Sequence, residues 1–303
     1  MKVLIDIDIP FIAGVIEPYA EVGYMKGNEI KKSDLSDVNA LIIRTRTVCN
    51  RALLDGTPVK FIASATIGSD HVDLEYCRDN GIFFTNAAGC NAWGVVQHVM
   101  TALFTVSHLK NLQIMGSKVG IIGVGNVGER LAGTMEHFGF KVLRCDPPVK
   151  QMLEAGIKPD DTRNQPDRSR LTPGDFQSMQ EVIRESDIVT LHLPLDNSTR
   201  GIVNQDCFDI MKPGSIFINA SRGEVINEKA LLGASGKLGA LILDVWAGEP
   251  YINTRLLDVA DIATPHIAGY SLEGKINATV FSVNSFGQFF EINELAGFKI
   301  DYP

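Results

Sequence analysis

The stretch Lys118-Val119-Gly120-Ile121-Ile122-Gly123-Val124-Gly125-Asn126-Val127-Gly128 constrains this chain more than any other. A short apolar run ends in glycines spaced G-x-G-x-x-G, and an amphipathic pattern continues to about Phe138. In that spacing the first glycine permits a tight turn and the second lets the backbone approach a pyrophosphate. The third lets the helix pack on its strand. The helix N-terminus then offers unpaired N–H groups to phosphate oxygens. A glycine-rich turn alone says little, but between a strand and a helix it predicts a dinucleotide site on Gly123, Gly125 and Gly128. Asp146 ends the next apolar run, Val142–Asp146, where a carboxylate accepts ribose hydroxyls and repels a 2′-phosphate. NAD is therefore expected over NADP. Arg144, on the same run, is a mild counter-signal and is expected to be a solvated strand residue.

The pattern of short apolar runs and helix-length crossovers extends along the chain. Val3–Ile5, Ala40–Ile43, Phe61–Ala63 and Ile82–Thr85 predict parallel strands buried on both faces. A helical stretch follows from about Asn91 to Leu109, striped by Val95, Val99, Ala102, Leu103 and Val106. After the glycine turn and Val142–Asp146 come Ile188–Leu193, Ser215–Ala220, Ala240–Val245 and Ile262–Thr264. A last helical pattern, Gly274–Glu291, is expected to fold back on the first unit. The fold class is thus α/β, a Rossmann-type doubly wound parallel sheet plus a smaller flavodoxin-like α/β domain. Residues 93–271 would bind NAD; residues 1–92, completed by 272–303, would bind substrate. Pro147 to Asp175, rich in Pro, Asp, Arg, Asn and Gly, predicts a long, mobile surface insertion.

A length of 303 residues with 45% hydrophobic side chains suits two cores. The net charge of −8 argues against nucleic acid or an anionic membrane as a general partner. Cys49, Cys77, Cys90, Cys145 and Cys207 are scattered without a C-x-x-C pair, so neither a disulfide framework nor a metal site is expected. Asp70-His71-Val72-Asp73 reads as a helix cap rather than a ligand set. The first six residues turn acidic too early for a signal peptide, and no apolar run is long enough to span a bilayer. A cytoplasmic location follows as an expectation.

Three segments lie at expected C-terminal strand ends, the ligand-binding edge of such sheets: Asn219-Ala220-Ser221-Arg222-Gly223, Asp244-Val245-Trp246-Ala247-Gly248-Glu249-Pro250 and Thr264-Pro265-His266-Ile267-Ala268-Gly269-Tyr270. Oxidising an alcohol needs a base near neutrality, which an imidazole supplies, and a carboxylate beside it fixes its tautomer. His266 and Glu249 are candidates for that pair, and Arg222 for a forked contact to a substrate carboxylate. Each residue taken singly is more often structural.

Together these segments resemble the D-isomer-specific 2-hydroxyacid dehydrogenases over nearly the whole chain. The resemblance implies catalytic roles for Arg222, Glu249 and His266. It implies cofactor contacts at Gly123, Gly125, Asn126, Val127, Gly128, Asp146, Ser221, Asp244 and Gly269. The segments at Ala65–Asp73, Gly89–Asn91, Cys145–Pro148 and His266–Lys275 are similar to one branch of that family, which serves vitamin B6 synthesis. That similarity implies substrate contacts at Thr45, Thr66 and Tyr270, oxidation of 4-phospho-D-erythronate, and a homodimer. A small phosphorylated hydroxy acid needs a basic pocket on an acidic protein, and Arg44-Thr45-Arg46-Thr47 supplies two guanidinium groups. At least one of Arg44 and Arg46, which alternate with Thr45 and Thr47 along a segment read as extended, is expected to serve the phosphate. Alternatives are another dehydrogenase of the family, acting on phosphoglycerate, glycerate or lactate, and an NAD(H)-sensing binding protein.

Overall fold

A computed structural model describes residues 1–157, 166 and 168–301, which form two compact units. One holds Met1–Asn91 and the chain from Tyr270 onward; the other is Ala92–Gly269.

The first unit is a five-stranded sheet: β1 (Lys2–Asp6), β2 (Glu21–Met25), β3 (Ala40–Ile43), β4 (Phe61–Ser64) and β5 (Phe83–Asn86). All pairs are parallel, in the order β2-β1-β3-β4-β5, the flavodoxin-like order. β3 and β4 are buried at every residue, as their unbroken apolar runs require. β2 was not among the expected strands. It is an edge strand paired only with β1, and its sequence, Glu-Val-Gly-Tyr-Met, has neither an apolar run nor clean alternation. Helix Leu272–Phe289 is capped by Ser271, whose hydroxyl accepts the Gly274 N–H at 3.0 Å. It packs Phe286 and Phe289 on Phe61 of β4, with ring centroids 5.8 and 5.1 Å apart.

The second unit is a six-stranded sheet: β6 (Lys118–Ile122), β7 (Lys141–Cys145), β8 (Ile188–Leu191), β9 (Ile216–Asn219), β10 (Ala240–Leu243) and β11 (Ile262–Ala263). Its order is β11-β10-β9-β8-β6-β7, again all parallel. The strand order reverses between β6 and β8, and ligands of open α/β sheets bind outside such a switch point. Helix Ala92–Leu109 buries Val95, Val99, Ala102, Leu103 and Val106 in the core that also holds Val119 and Ile121.

The expected insertion is a different object. Pro147–Glu154 is a helix, with prolines at its first positions and Asp146 as N-cap accepting the Val149 N–H at 3.0 Å. Val149, Leu171 and Phe176 join the core of this unit. The segment looked like surface because its few apolar residues are spread thinly; Val149 and Leu171 turn inward all the same, while Met152 and Ile157 stay exposed. Residues 158–165 and 167 lie outside the described residues. Among the described residues, no helix is long and apolar enough to cross a membrane.

Candidate active site

The glycine turn leaves β6 at the switch point, and its glycines answer to three different constraints. Gly123 has φ +91°, and a Cβ there would strike the backbone of His192. A Cβ at Gly128, on helix Asn126–His137, would strike the Gly123 carbonyl, so that glycine lets the helix approach its strand. Gly125, the N-cap, faces open space: a Cβ there meets nothing within 4 Å. The start of the helix, Asn126 and Val127, is therefore accessible to a pyrophosphate, and the cradle fits a dinucleotide. Asp146, half-buried at the end of β7, accepts the Val124 N–H through Oδ2 at 2.8 Å and the Val149 N–H through Oδ1 at 3.0 Å. These bonds hold the carboxylate beside the turn.

Arg144 is not the solvated residue the sequence suggests. It is buried, and its Nε meets Glu129 Oε2 at 2.9 Å while Nη2 meets Glu136 at 2.8 Å. Arg170 closes the cluster with a 2.9 Å contact to Glu129. The two glutamates sit on the helix of the glycine turn, one turn and three turns in, and point back at β7. A guanidinium held this way is not a receptor for a 2′-phosphate.

The three catalytic candidates sit on loops after β9, β10 and β11. Asn219 shapes the first: its Oδ1 accepts both the N–H and the hydroxyl of Ser221, at 3.0 and 2.8 Å, and its Nδ2 donates to the Arg222 carbonyl at 2.9 Å. Ser221 is buried with those donors turned inward, and Arg222 is left half-exposed. On the second loop, the Trp246 N–H binds Glu249 Oε1 at 2.9 Å. Glu249 Oε2 in turn lies 2.8 Å from His266 Nδ1 on the third. Both side chains remain solvent-accessible, His266 at 43%. With Nδ1–H donating to the carboxylate, Nε2 is the atom free to take a proton. Asp244, wholly buried, gathers the third loop through bonds to Thr264, Ile267 and Ala268, and half-buried Gly269 follows.

In the first unit, β1 and β3 flank the switch point of the smaller sheet, and residues 44–47 lie at the end of β3. They are not an extended segment. The Thr47 N–H returns to the Arg44 carbonyl at 3.2 Å, closing a turn, because the strand ends at Ile43. Both arginines reach Asp8: Arg44 Nη1 donates to its carbonyl at 3.1 Å and Arg46 lies 3.7 Å from its carboxylate. Thr45 is exposed, and Thr66 is half-exposed beside Ser64, with 2.9 Å between hydroxyls. Tyr270 is 66% exposed, with Lys275 Nζ 3.7 Å above its ring. Its hydroxyl is more acidic than usual, chiefly through the hydrogen bond to Lys275, with Arg44 and Arg46 adding to the effect. Asp73 caps helix Leu74–Asp79, accepting the Tyr76 N–H at 2.9 Å.

Sequence reasoning passed over Asn219, Trp246, Thr264 and Lys275 as separate contributors. All four lie inside the quoted segments, so the signal was position within a motif, not residue type.

Residues 96–268 match the family model described as D-isomer specific 2-hydroxyacid dehydrogenase, NAD binding domain. The erythronate-4-phosphate dehydrogenase of Bacteroides fragilis is 41% identical over 299 residues, covering 96% of this chain and 81% of that protein. The protein of the same name from Salmonella arizonae is 39% identical over 295 residues, covering 95% and 73%. D-lactate dehydrogenase from Aquifex aeolicus, solved with NAD and lactic acid, superposes with a TM-score of 0.79 at 23% identity over 100% of both chains. The NAD+-bound 3-phosphoglycerate dehydrogenase of Entamoeba histolytica gives 0.75 at 24% identity, covering 100% of this chain and 99% of that one. At such identities the solved structures bear on the fold alone.

Proposed function

Because this chain belongs to the D-isomer-specific 2-hydroxyacid dehydrogenase family, whose NAD-binding domain it carries, we propose that it oxidises 4-phospho-D-erythronate to 3-hydroxy-2-oxo-4-phosphooxybutanoate. It is an NAD-dependent oxidoreductase of hydroxy acids. The observation that carries the mechanism is the 2.8 Å contact between Glu249 Oε2 and His266 Nδ1.

Bound NAD supplies the hydride acceptor. His266 Nε2 takes the proton of the C2 hydroxyl as the hydride leaves C2, and Glu249 stabilises the imidazolium through Nδ1. Arg222 grips the substrate carboxylate and polarises the forming carbonyl. Gly125, Asn126 and Val127 would hold the pyrophosphate in the turn that Gly123 and Gly128 shape, and Asp146 would hold the adenosine ribose. Ser221, Asp244 and Gly269 border the cofactor.

The choice of a phosphorylated substrate is supported by the shared name of the curated relatives and by the cationic group in the first unit. Lys275 Nζ lies over the Tyr270 ring and Arg44 and Arg46 follow β3; the charge of all three makes the Tyr270 hydroxyl more acidic, Lys275 most of all. On an otherwise acidic protein this is where a phosphate finds donors, with Thr45 and Thr66 as hydroxyl partners. Five free, buried thiols suit a reducing cytoplasm, and a homodimer without nucleic-acid partners completes the picture.

The test is NADH formation from 4-phospho-D-erythronate, 3-phosphoglycerate and D-lactate, with a 2-oxo acid present in a parallel run to reoxidise bound NADH. A strong preference for the first, abolished in His266→Ala, is expected. Preference for either other acid would overturn the substrate assignment. Tight NADH binding without turnover would favour a sensor.

A further inference from the structure

His266 stands in the left-handed region, with φ 55°, a conformation uncommon for a residue with a Cβ. Something nearby must make that conformation the stable one. Successive N–H groups around a left-handed residue turn toward one another and form a concave receptor for an anion. In this loop the receptor is already filled from within the chain. The Ile267 N–H binds Asp244 Oδ1 and the Ala268 N–H binds Oδ2, both at 2.8 Å. The His266 N–H binds the Asp244 main-chain carbonyl at 2.7 Å. The Thr264 hydroxyl adds a fourth bond, to Oδ1 at 2.6 Å.

We infer that Asp244, with Thr264 as its hydroxyl partner, is the positioning residue that holds His266 against Glu249. The geometry joins both ends of that contact. The Trp246 indole donates to the Thr264 carbonyl at 2.9 Å, and the Trp246 N–H orients Glu249 at 2.9 Å. One frame, built from residues 244, 246 and 264, thus fixes the carboxylate and the imidazole together. A carboxylate can accept all the donors pointed at it. An amide cannot, because its NH₂ would face a backbone N–H, and two donors facing each other drive the loop out of the left-handed conformation.

The inference rests on His266 being the base, so two readouts are needed. The first is steady-state oxidation of 4-phospho-D-erythronate by the full chain, with NADH affinity measured separately by fluorescence. The second uses no substrate: the Nδ1 resonance of His266 in enzyme made with isotope-labelled histidine, assigned by its absence in His266→Ala. Thr264→Val keeps side-chain shape and removes the hydroxyl. It is expected to lower kcat about tenfold or more, because small displacements of a catalytic group are costly. NADH affinity should be retained and the Nδ1 resonance should shift. Thr264→Ser should restore both, and Asp244→Asn should shift the resonance further. Wild-type kcat and an unmoved resonance in Thr264→Val would overturn the inference. So would equal impairment in the Val and Ser variants, since shape and not the hydroxyl would then matter. If the wild-type chain ignores the substrate while Thr264→Val still shifts the resonance, the substrate assignment fails and the positioning role stands.

Discussion

Gly223 and Trp246 meet backbone to backbone: a Cβ on Gly223 would collide with the Trp246 carbonyl and the Ala247 nitrogen. The loop that presents Arg222 therefore lies directly on the loop that presents Glu249, and glycine is what allows it. Gly223→Ala should push the two loops apart. The expected result is a loss in kcat of about a hundredfold, the size associated with misplacing catalytic groups by about an ångström. NADH binding, anchored at the glycine turn as well as beside Ser221 and Asp244, should fall less than kcat. Stopped-flow hydride transfer alongside NADH titration separates the two.

Glu129 and Arg144 form a buried ion pair, with side-chain exposures of 2% and 8%. Removing one partner leaves a charge buried without full compensation. Glu129→Gln should lower unfolding stability by about 3 kcal/mol, at the low end for a broken buried pair because Glu136 still contacts Arg144. Urea unfolding of the full chain measures it. A change under 1 kcal/mol, of the order of an exposed pair, would mean the cluster is solvated.

Asp146 carries two duties, capping helix Pro147–Glu154 and presenting negative charge beside the glycine turn. Serine keeps the first and abolishes the second. Asp146→Ser should raise KM for NAD and admit NADP, whose 2′-phosphate would then meet the charge of Arg168, which already acts on Asp146. The ratio of kcat/KM for the two cofactors should move toward NADP by about tenfold or more, the effect of roughly one removed charge repulsion. An unchanged ratio would place the discrimination elsewhere.

Burial pushes the thiols of Cys49 and Cys90 up to about 12 and that of Cys145 up to about 11; Cys77 and Cys207 are raised for the same reason. A raised thiol pKa means less thiolate, the reactive form, at any pH below it. Native enzyme at pH 8 should resist iodoacetamide and retain activity, whereas urea-unfolded chain should take up five carboxamidomethyl groups by mass spectrometry. Rapid labelling of Cys90 in the native state would contradict its burial.

How far these features could be read beforehand depends on the range of the interaction that produces them. Strands β3, β4 and β6 follow from unbroken apolar runs, and the glycine turn from the excluded space at Gly123 and Gly128, which is local to a strand, a turn and a helix. Strand β2 could not be found this way, because it is fixed by a ladder with β1, and its Val22, Tyr24 and Met25 pack on the cores without forming an apolar run.

Arg144 shows the same limit from the other side. Whether a strand arginine is solvated or buried turns on Glu129 and Glu136, whose placement opposite β7 is set by the packing of a helix. Residues 44–47 alternate on paper, but the turn closed by Thr47 cancels the alternation.

Residue type and short spacing encode the α/β class, the glycine turn and the proposed catalytic set of Arg222, Glu249 and His266. Long-range packing is what sets Asp244 in the hollow behind His266, ties Glu249 to Thr264 through Trp246, and commits Arg144 to the core. Each of these joins groups from separate strands and loops, and no local pattern encodes a distance that the packing of a whole sheet must close.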